Sequence, residues 1–329
     1  MLLLTALALS FVGCGQAQTL TSSYPSYDSD FLIGTETANA GTTYTQEKKI
    51  AVSEDINSVD PAAVSYPVSD AGGVFNLTTR EVSFRQNIFQ KVYPASTTKI
   101  LTALLILEHC DLKDEVTISR EAVSIGADSS SCKLAEGDVL TVEQLLNGLI
   151  LVSGNDAANA LAEHCSGSVA DFVELMNETA ASLGATNSHF VNPHGLPDED
   201  HYTTVYDMYL IFQEALKRDD FRELIAASAY DAVYRDASGG QVTKTWNSTN
   251  KYKNGEQEAP EGFTVIGGKT GTTNAAGHCL VLVSQNAMGE EIISIVYRGE
   301  STSDLYAQMN ALLTNYGQSV TSNSNKSTN

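Results

Sequence analysis

The stretch VYPASTTKILTALL, from Val92 to Leu105, holds the most informative pattern of this chain. Residues 100–107 are apolar on almost every side, which is typical of a helix that is buried all round. Ser96 precedes this helix directly, so its hydroxyl is expected at the positive helix end. Lys99 follows one turn later on the same face. An apolar setting lowers the pKa of a lysine, and we expect Lys99 to act as the general base that activates Ser96.

A second polar segment, Ser153-Gly154-Asn155, interrupts two helical patterns. One pattern ends near Val152 and the next begins at about Asp156, so we expect both polar side chains to project from a turn into a cleft. A serine hydroxyl at this place can relay a proton to a leaving amine. The amide of Asn155 can donate and accept hydrogen bonds, which suits it to orient the lysine and a substrate amide.

A third segment, Lys269-Thr270-Gly271-Thr272, ends a predicted strand. Lys269 and the threonine hydroxyls offer a cation and donors to a substrate carboxylate. Gly271 has no side chain, so a substrate backbone can lie against this strand edge. We take the backbone N–H groups of Ser96 and Thr272 as the candidates for an oxyanion hole.

The S-x-x-K spacing alone is a weak signal, because the chain contains a second copy. That copy, Ser130-Ser131-Cys132-Lys133, precedes Leu-Ala-Glu-Gly instead of a buried helix. We interpret it as a surface turn; the alternative is a place at the border of the cleft, because the stretch lies upstream of the predicted helix at Thr141. Each of the three polar segments has an ordinary explanation when taken singly, as a helix cap, a loop or a solvated strand end. Their order and contexts together favour a catalytic set.

The elements around these segments predict an α/β (α+β) fold. Apolar β-rich runs at 63–68, 73–77 and 81–84 come first, a helical block follows, and strands return at 263–266, 278–284 and 291–297 before a last helix capped by Ser303. We expect an antiparallel sheet made from both ends of the chain, with flanking helices and an inserted helical subdomain at about 97–220. The catalytic domain is placed at residues 46–316, with its cleft between the two parts.

The N-terminal segment predicts export. Residues 1–13 are almost wholly apolar or small, as in the core of a signal peptide, and Phe11-Val12-Gly13-Cys14 resembles the lipobox of bacterial lipoproteins. We expect lipidation at Cys14; the alternative is an ordinary signal peptide cleaved near residues 16–18. Residues 14–45 are expected to form a flexible tether, and residues 317–329 a disordered tail.

Charge and composition exclude other classes of protein. The 329 residues include 19 Lys+Arg and 40 Asp+Glu, a formal net charge of −21. Such a surface repels a nucleic-acid backbone, so we exclude nucleic acid as a partner.

The spacing of cysteines and histidines matches no zinc pattern, and we expect no metal and no cofactor. Cys110 and Cys165, at the ends of two predicted helices, are our first choice for a disulfide, with free thiols as the alternative.

Further stretches carry a family resemblance: LLNGLILVSGNDAANALAEH at 145–164, HFVNPHGL at 189–196 and GGKTGTT at 267–273. With the first stretch they resemble the serine-type D-alanyl-D-alanine carboxypeptidases of peptidase family S11, which are low-molecular-mass penicillin-binding proteins. The resemblance covers about residues 62–316. It implies a fold like that of β-lactamases and penicillin-binding proteins.

The resemblance also implies an activity. Ser96 would be acylated by the penultimate D-Ala of a peptidoglycan stem peptide, the terminal D-Ala would leave, and water would complete the cycle. β-Lactam antibiotics would acylate the same serine as covalent inhibitors.

The implied role is in peptidoglycan biosynthesis and cell shape, outside the cytoplasm. We expect the protein on the outer face of the bacterial membrane, touching it only through the N-terminal lipid, or secreted.

Three alternatives remain at this point. A resemblance to class A β-lactamases would imply a deacylating Glu that is followed shortly by Asn in a loop. In this chain the E-x-x-N pattern at Glu174 to Asn177 falls inside a predicted helix, which disfavours this alternative. A non-catalytic penicillin or muropeptide sensor would keep its acyl group. A metal-dependent peptidase is disfavoured, because the segment from His194 to His201 contains Gly and Pro and is expected to be a loop.

Overall fold

A computed structural model of the chain describes residues 68, 70–126 and 129–318. The predicted signal peptide, Cys14 and the tether lie outside the described residues. The first predicted strand, apart from Val68, and all but two residues of the predicted tail also lie outside them. Within the described ranges, no helix is both long enough and apolar enough to cross a membrane.

The elements alternate as strands, helices, strands and a last helix, in the predicted order. The strands are β1 (Ala71–Asn76), β2 (Glu81–Gln86), β3 (Glu115–Thr117), β4 (Val139–Thr141), β5 (Ala229–Arg235), β6 (Gln241–Asn247), β7 (Phe263–Thr273), β8 (Gly277–Asn286) and β9 (Glu291–Gly299). The α-helices are α1 (Lys99–His109), α2 (Val142–Leu151), α3 (Asn155–Ser166), α4 (Val169–Ser182), α5 (Val205–Ala215), α6 (Asp219–Ala226), α7 (Lys251–Asn254) and α8 (Thr302–Tyr316).

The main sheet has the strand order β2-β1-β9-β8-β7, and all its neighbours are antiparallel. Its strands come from both ends of the described chain, which confirms the predicted sheet. β8 and β9 are buried along most of their length because apolar clusters cover both faces of the sheet. Helix α8 packs on one face and α5 on the other, with the helical block behind α5. The edge strand β7 borders that block and carries the Lys269 segment.

Helix α1 is the centre of the helical block. Every residue from Lys99 to Leu107 is buried, which confirms the prediction of a helix enclosed on all sides. It packs against α2, α3 and α5. Its apolar surface, once buried, stabilises the fold by about 25 cal/mol per Å², so the helix that carries Lys99 is held firmly in the core.

A second, four-stranded sheet, β3-β4-β5-β6, was absent from the sequence-based expectation. Its first two strands have only three residues each. Strands β5 and β6 alternate exposed with half-buried or buried positions and include several charged residues. Short strands that are mostly solvated carry a weak apolar signal, and the surrounding helical pattern hides them.

Two helices begin at capping side chains. At the start of α2, Thr141 and Gln144 form a capping box. The cap of α8 is Ser301, whose side chain accepts the backbone N–H of Asp304, so the prediction of Ser303 was wrong. Ser301 has the extended backbone that a cap requires, and an acidic residue three positions later supports the helix start.

Candidate active site

Ser96 lies in a one-turn 3-10 helix, Ala95–Thr98, that leads directly into α1. The hydroxyls of Thr97 and Thr98 donate to the carbonyl groups three residues earlier, at 2.7 and 2.9 Å. Both threonines are buried, so these bonds fix the turn. We expected Ser96 at the start of the α-helix itself. The structure begins α1 at Lys99, because the threonine side chains favour the tighter turn.

A loop supports this turn from behind. Gly195 has a left-handed φ of +89°, and a Cβ at this position would lie 1.8 Å from the Ala95 carbonyl oxygen. His201 Nδ1 accepts the N–H of Val191, so Nε2 carries the proton and donates to Thr98 Oγ1 at 2.9 Å. Burial lowers the pKa of His201 to about 4, which keeps the ring neutral. Loop and turn are therefore held in one arrangement.

Lys99 is the centre of the hydrogen-bond network. Its side chain is 0% exposed, and Nζ donates to Ser96 Oγ at 3.0 Å, Asn155 Oδ1 at 2.7 Å and the His194 carbonyl at 2.7 Å. Burial, reinforced by the positive charge of Lys269, holds the pKa of Lys99 well below its ordinary value. A lysine that loses its proton easily, in contact with a serine hydroxyl, is equipped to accept the proton of that hydroxyl.

Ser153 sits on the turn between α2 and α3, as predicted. It has a left-handed φ of +59°, an unusual conformation for a residue with a side chain, and is 5% exposed. The next residue, Gly154, packs so closely that a Cβ there would lie 2.3 Å from Cys132 Sγ. This turn aims Ser153 Oγ at Lys269 Nζ, 3.1 Å away, and starts α3 at Asn155.

Lys269 points into the same site from β7. It is 1% exposed, and Nζ also donates to the Thr270 carbonyl at 2.9 Å. Burial lowers its pKa to about 7. Thr270 shares a hydrogen bond with Thr249 at 2.8 Å, so its hydroxyl is held at the rim. A desolvated cation next to hydroxyl groups is suited to receive a carboxylate, whose charge would restore full protonation of the lysine.

At Gly271, strand β7 packs against the 3-10 turn Ala95–Thr98 that carries Ser96, which we call the serine turn. A Cβ at this position would lie 2.9 Å from the backbone nitrogen of Ser96 and 3.1 Å from the Ala95 side chain. The residue is glycine because the strand and the turn touch, a reason in addition to the predicted room for substrate. Thr272 follows one residue further along the edge strand and is exposed. The oxyanion hole formed by the N–H groups of Ser96 and Thr272 stays a prediction.

Asp156 is a buried residue of the site that the sequence reasoning missed. Its carboxylate accepts the hydroxyl of Ser131 at 2.6 Å and two backbone N–H groups of residues 132–134. Next to it, the N–H of Asn155 donates to the carbonyl of Ser130 at 2.9 Å. The second S-x-x-K stretch thus borders the site, and Asp156 ties it to α3. An acidic residue in the first turn of a helix was the available signal.

The second missed group is the His194 carbonyl that binds Lys99. A backbone carbonyl has no residue signature, so only the HFVNPHGL resemblance pointed to this loop. Burial lowers the pKa of His194 to about 3, so its ring is uncharged beside the lysine. Among the described residues, no group of three or more His, Cys, Asp and Glu side chains is arranged to hold a metal ion.

Comparisons with known proteins agree with this geometry. The profile of peptidase family S11, D-alanyl-D-alanine carboxypeptidase, matches residues 68–301. The chain belongs to this family. The D-alanyl-D-alanine carboxypeptidase DacF of Bacillus subtilis is 34% identical over 244 residues, which are 71% of this chain and 58% of DacF. This chain therefore aligns with less than two thirds of that relative.

A solved structure supports the S11 fold. The crystal structure of the Streptomyces K15 DD-transpeptidase superposes with a TM-score of 0.70 at 31% identity, covering 77% of this chain and 99% of that chain. The D-alanyl-D-alanine carboxypeptidase of the same Streptomyces strain is 35% identical over 217 residues, which are 63% of this chain and 72% of the relative. The predicted fold, like that of β-lactamases and penicillin-binding proteins, is confirmed.

The E-x-x-N pattern has a structural explanation in this S11 chain. Glu174 and Asn177 lie inside α4. The Asn177 side chain accepts the N–H of Phe190 at 2.9 Å and donates to its carbonyl at 2.8 Å, so it anchors the segment that leads to the His194 loop. Because Asn177 is bonded to the Phe190 backbone from inside a helix, Glu174 and Asn177 do not form the deacylating pair of a class A β-lactamase.

Proposed function

We propose that this chain is a serine D-Ala-D-Ala carboxypeptidase that removes the terminal D-Ala from peptidoglycan stem peptides. One observation carries the proposal. Lys99 Nζ lies 3.0 Å from Ser96 Oγ while Lys269, the cation for a substrate carboxylate, faces the same site through Ser153. This arrangement offers a nucleophile, a base, a proton relay and a carboxylate anchor within one site.

In the acylation step, neutral Lys99 takes the proton of Ser96, and Ser96 Oγ attacks the carbonyl carbon of the penultimate D-Ala. The N–H groups of Ser96 and Thr272 receive the oxyanion of the tetrahedral intermediate. Asn155 holds Lys99 in place through the bond of 2.7 Å. Its amide also orients the substrate peptide.

In the collapse of the intermediate, the C–N bond breaks and the amine of D-Ala needs a proton. Ser153 Oγ gives this proton and recovers one from Lys269 Nζ, which contacts it at 3.1 Å. The proton that Lys99 took from Ser96 returns to this relay, so Lys269 stays protonated and Lys99 is neutral again for the next step. Lys269 and Thr270 hold the carboxylate of the departing D-Ala, and Gly271 leaves the edge of β7 open to the peptide backbone. Water then attacks the ester on Ser96, with Lys99 again as the base.

The same chemistry predicts the inhibitors and the location. β-Lactams carry a strained amide and a carboxylate, so they acylate Ser96. They stay bound when water hydrolyses the resulting ester slowly. A peptidoglycan substrate places the enzyme outside the cytoplasm. We propose anchoring through a lipid on Cys14, or secretion after signal-peptide cleavage, from the sequence of the N-terminal segment.

The test combines two measurements on the purified full chain. Intact mass after mixing with penicillin follows the acyl adduct, and a second assay follows D-Ala released from a diacetylated Lys-D-Ala-D-Ala peptide. A slowly decaying adduct together with D-Ala release supports the carboxypeptidase. Rapid penicillin turnover without D-Ala release would indicate a β-lactamase, and a stable adduct without D-Ala release would indicate a sensor.

A further inference from the structure

Two thiols meet at the end of the helical block that is opposite to the active site. Cys110 follows the last residue of α1, and Cys165 lies in the last turn of α3. Their side chains are hydrogen-bonded to each other, and both residues are partly exposed. Helices α1 and α3 pack side by side, so this contact belongs to an ordered interface between helices.

The other two thiols of the described residues have different surroundings. Cys132 is buried beside Gly148 and Gly154, and Cys279 is buried in β8, where its thiol donates to the Ala276 carbonyl at 3.5 Å. Burial raises the pKa of Cys279 to about 12, which keeps it protonated and unreactive. These cysteines therefore serve as internal controls for any reaction at the exposed pair.

Within the pair the two thiols have different acidities. The Cys110 thiol donates its hydrogen to the Cys165 sulfur, and this bond lowers the pKa of Cys165 to about 7. The same bond raises the pKa of Cys110, and burial and the nearby Asp114 carboxylate add to this effect. Cys165 is thus the better nucleophile, and Cys110 holds the proton at its side.

We propose that Cys110 and Cys165 form a disulfide that ties the far ends of α1 and α3 together. The oxidant is a disulfide compound, either a small molecule such as oxidised glutathione or a protein oxidoreductase. The Cys165 thiolate attacks one sulfur of the oxidant and releases a first thiolate. Cys110 then loses its proton to that thiolate and attacks the Cys165 sulfur, which releases the second. Two protein thiols are oxidised, and one disulfide is reduced to two thiols.

The position of the disulfide links it to the catalytic residues through the helices. α1 begins with Lys99 and α3 begins with Asn155, and these two residues are bonded at 2.7 Å. The helix pair is therefore joined at the active-site end by a hydrogen bond and at the other end by a covalent bond. The disulfide closes a loop of about 55 residues that contains Ser130 to Ser153, so it restricts the unfolded chain strongly.

The first experiment determines which sulfurs are linked. The full chain is incubated with oxidised glutathione, treated with an alkylating reagent in denaturant, and digested without reductant. We expect a peptide in which Cys110 is linked to Cys165, while Cys132 and Cys279 are alkylated. Recovery of Cys110 and Cys165 as alkylated thiols, as stable glutathione adducts, or linked to any other cysteine would overturn the proposal.

The second experiment measures what the disulfide does. We expect the melting temperature of the oxidised protein to exceed that of the reduced protein by about 5–10 °C. In Cys110→Ser and in Cys165→Ser the difference between oxidising and reducing conditions should disappear. The matched control Cys279→Ser should keep it, whatever its own melting temperature. A difference that persists in both variants of the pair would contradict the proposed disulfide.

Discussion

The stretches Ser96–Lys99 and Ser130–Lys133 have the same S-x-x-K spacing and opposite surroundings. Lys99 is 0% exposed and contacts Ser96 Oγ, whereas Ser130 and Lys133 are both exposed. The first stretch enters a helix that is apolar on all sides. The second continues as a loop, and Lys133 has a left-handed φ of +60° that a helix start excludes. The chemistry therefore depends on the element that follows the motif, because burial is what lowers the pKa of the lysine.

The second stretch still has a role at the site. Through the Ser131 hydroxyl and the Cys132 N–H it binds Asp156, the residue that follows Asn155. The N–H of Leu134, directly after the stretch, binds the same carboxylate. The carbonyl of Ser130 accepts the N–H of Asn155. In the proposed mechanism one copy of the pattern supplies the nucleophile and its base, while the other copy contacts the first residues of α3 and holds them in position.

The largest difference between the two copies should come from their lysines. Replacing the base in Lys99→Met should lower the acylation rate constant with a fluorescent penicillin by about 10³-fold or more, because general-base catalysis contributes 10²–10⁴-fold. The matched variant Lys133→Met should stay within about twofold of the wild type, as expected for an exposed side chain. Equal losses in the two variants would remove the distinction between the copies.

The next effect concerns the cation that faces only the first copy. Lys269→Ala removes the charge that binds the terminal carboxylate and should lower kcat/KM for D-Ala release by about 10²–10³-fold, or roughly 3–4 kcal/mol of transition-state stabilisation. Lys244→Ala is the matched control, since its amine bonds the Lys133 carbonyl in the second copy. Unchanged turnover in Lys269→Ala would exclude Lys269 from the site.

The pH dependence distinguishes the two buried lysines. Lys269 must be protonated to bind a carboxylate, and its pKa is about 7, so kcat/KM should fall above that pH, by up to tenfold per unit. Lys99 must be neutral, so the acidic limb should follow its lowered pKa. In Lys269→Met the alkaline limb should vanish, and the acidic limb should remain but move to higher pH, because the charge of Lys269 no longer helps to lower the pKa of Lys99. An alkaline limb that persists near pH 7 in this variant would assign it to another group.

The smallest effect tests the contacts between the second copy and the start of α3. Asp156→Asn keeps the size of the side chain but removes its negative charge. The hydrogen bonds that it accepts from Ser131 and from the backbone of residues 132–134 therefore become weaker. We expect about tenfold slower acylation and about 2 kcal/mol less free energy of unfolding in urea. Asp171→Asn, at the exposed start of α4, is the control and should change neither quantity appreciably. Acylation at the wild-type rate in Asp156→Asn would mean that the contacts of the second copy do not position the site.

Most of the polar side chains of the site were predictable from the sequence, whereas Asp156 and the backbone contacts were not. Ser96, Lys99, Ser153, Asn155 and Lys269 have chemical signatures in the sequence, and the structure brings them together. The His194 carbonyl has no such signature, because any residue could supply it. The contact that Gly271 makes with the serine turn depends on tertiary packing, which the local sequence does not specify.

Some elements of the fold were also predictable from the sequence, and others were not. The buried helix α1 and the main sheet carry long apolar patterns, so their periodicity was sufficient to predict them. The small sheet β3-β4-β5-β6 consists of short or mostly solvated strands, whose pairing is decided by distant partners. The cap of α8 was misplaced by two residues because Ser301 and Ser303 offer the same hydroxyl, and only backbone geometry separates them.

The most direct measurement is the location of the penicillin adduct. The full chain is labelled with penicillin, digested, and mapped by mass spectrometry, in parallel with Ser96→Ala and Ser130→Ala. We expect the acyl group on Ser96 in the wild type and in Ser130→Ala, and no adduct in Ser96→Ala. An adduct on Ser130, or labelling that persists in Ser96→Ala, would contradict the claim that the buried copy of the motif carries the nucleophile.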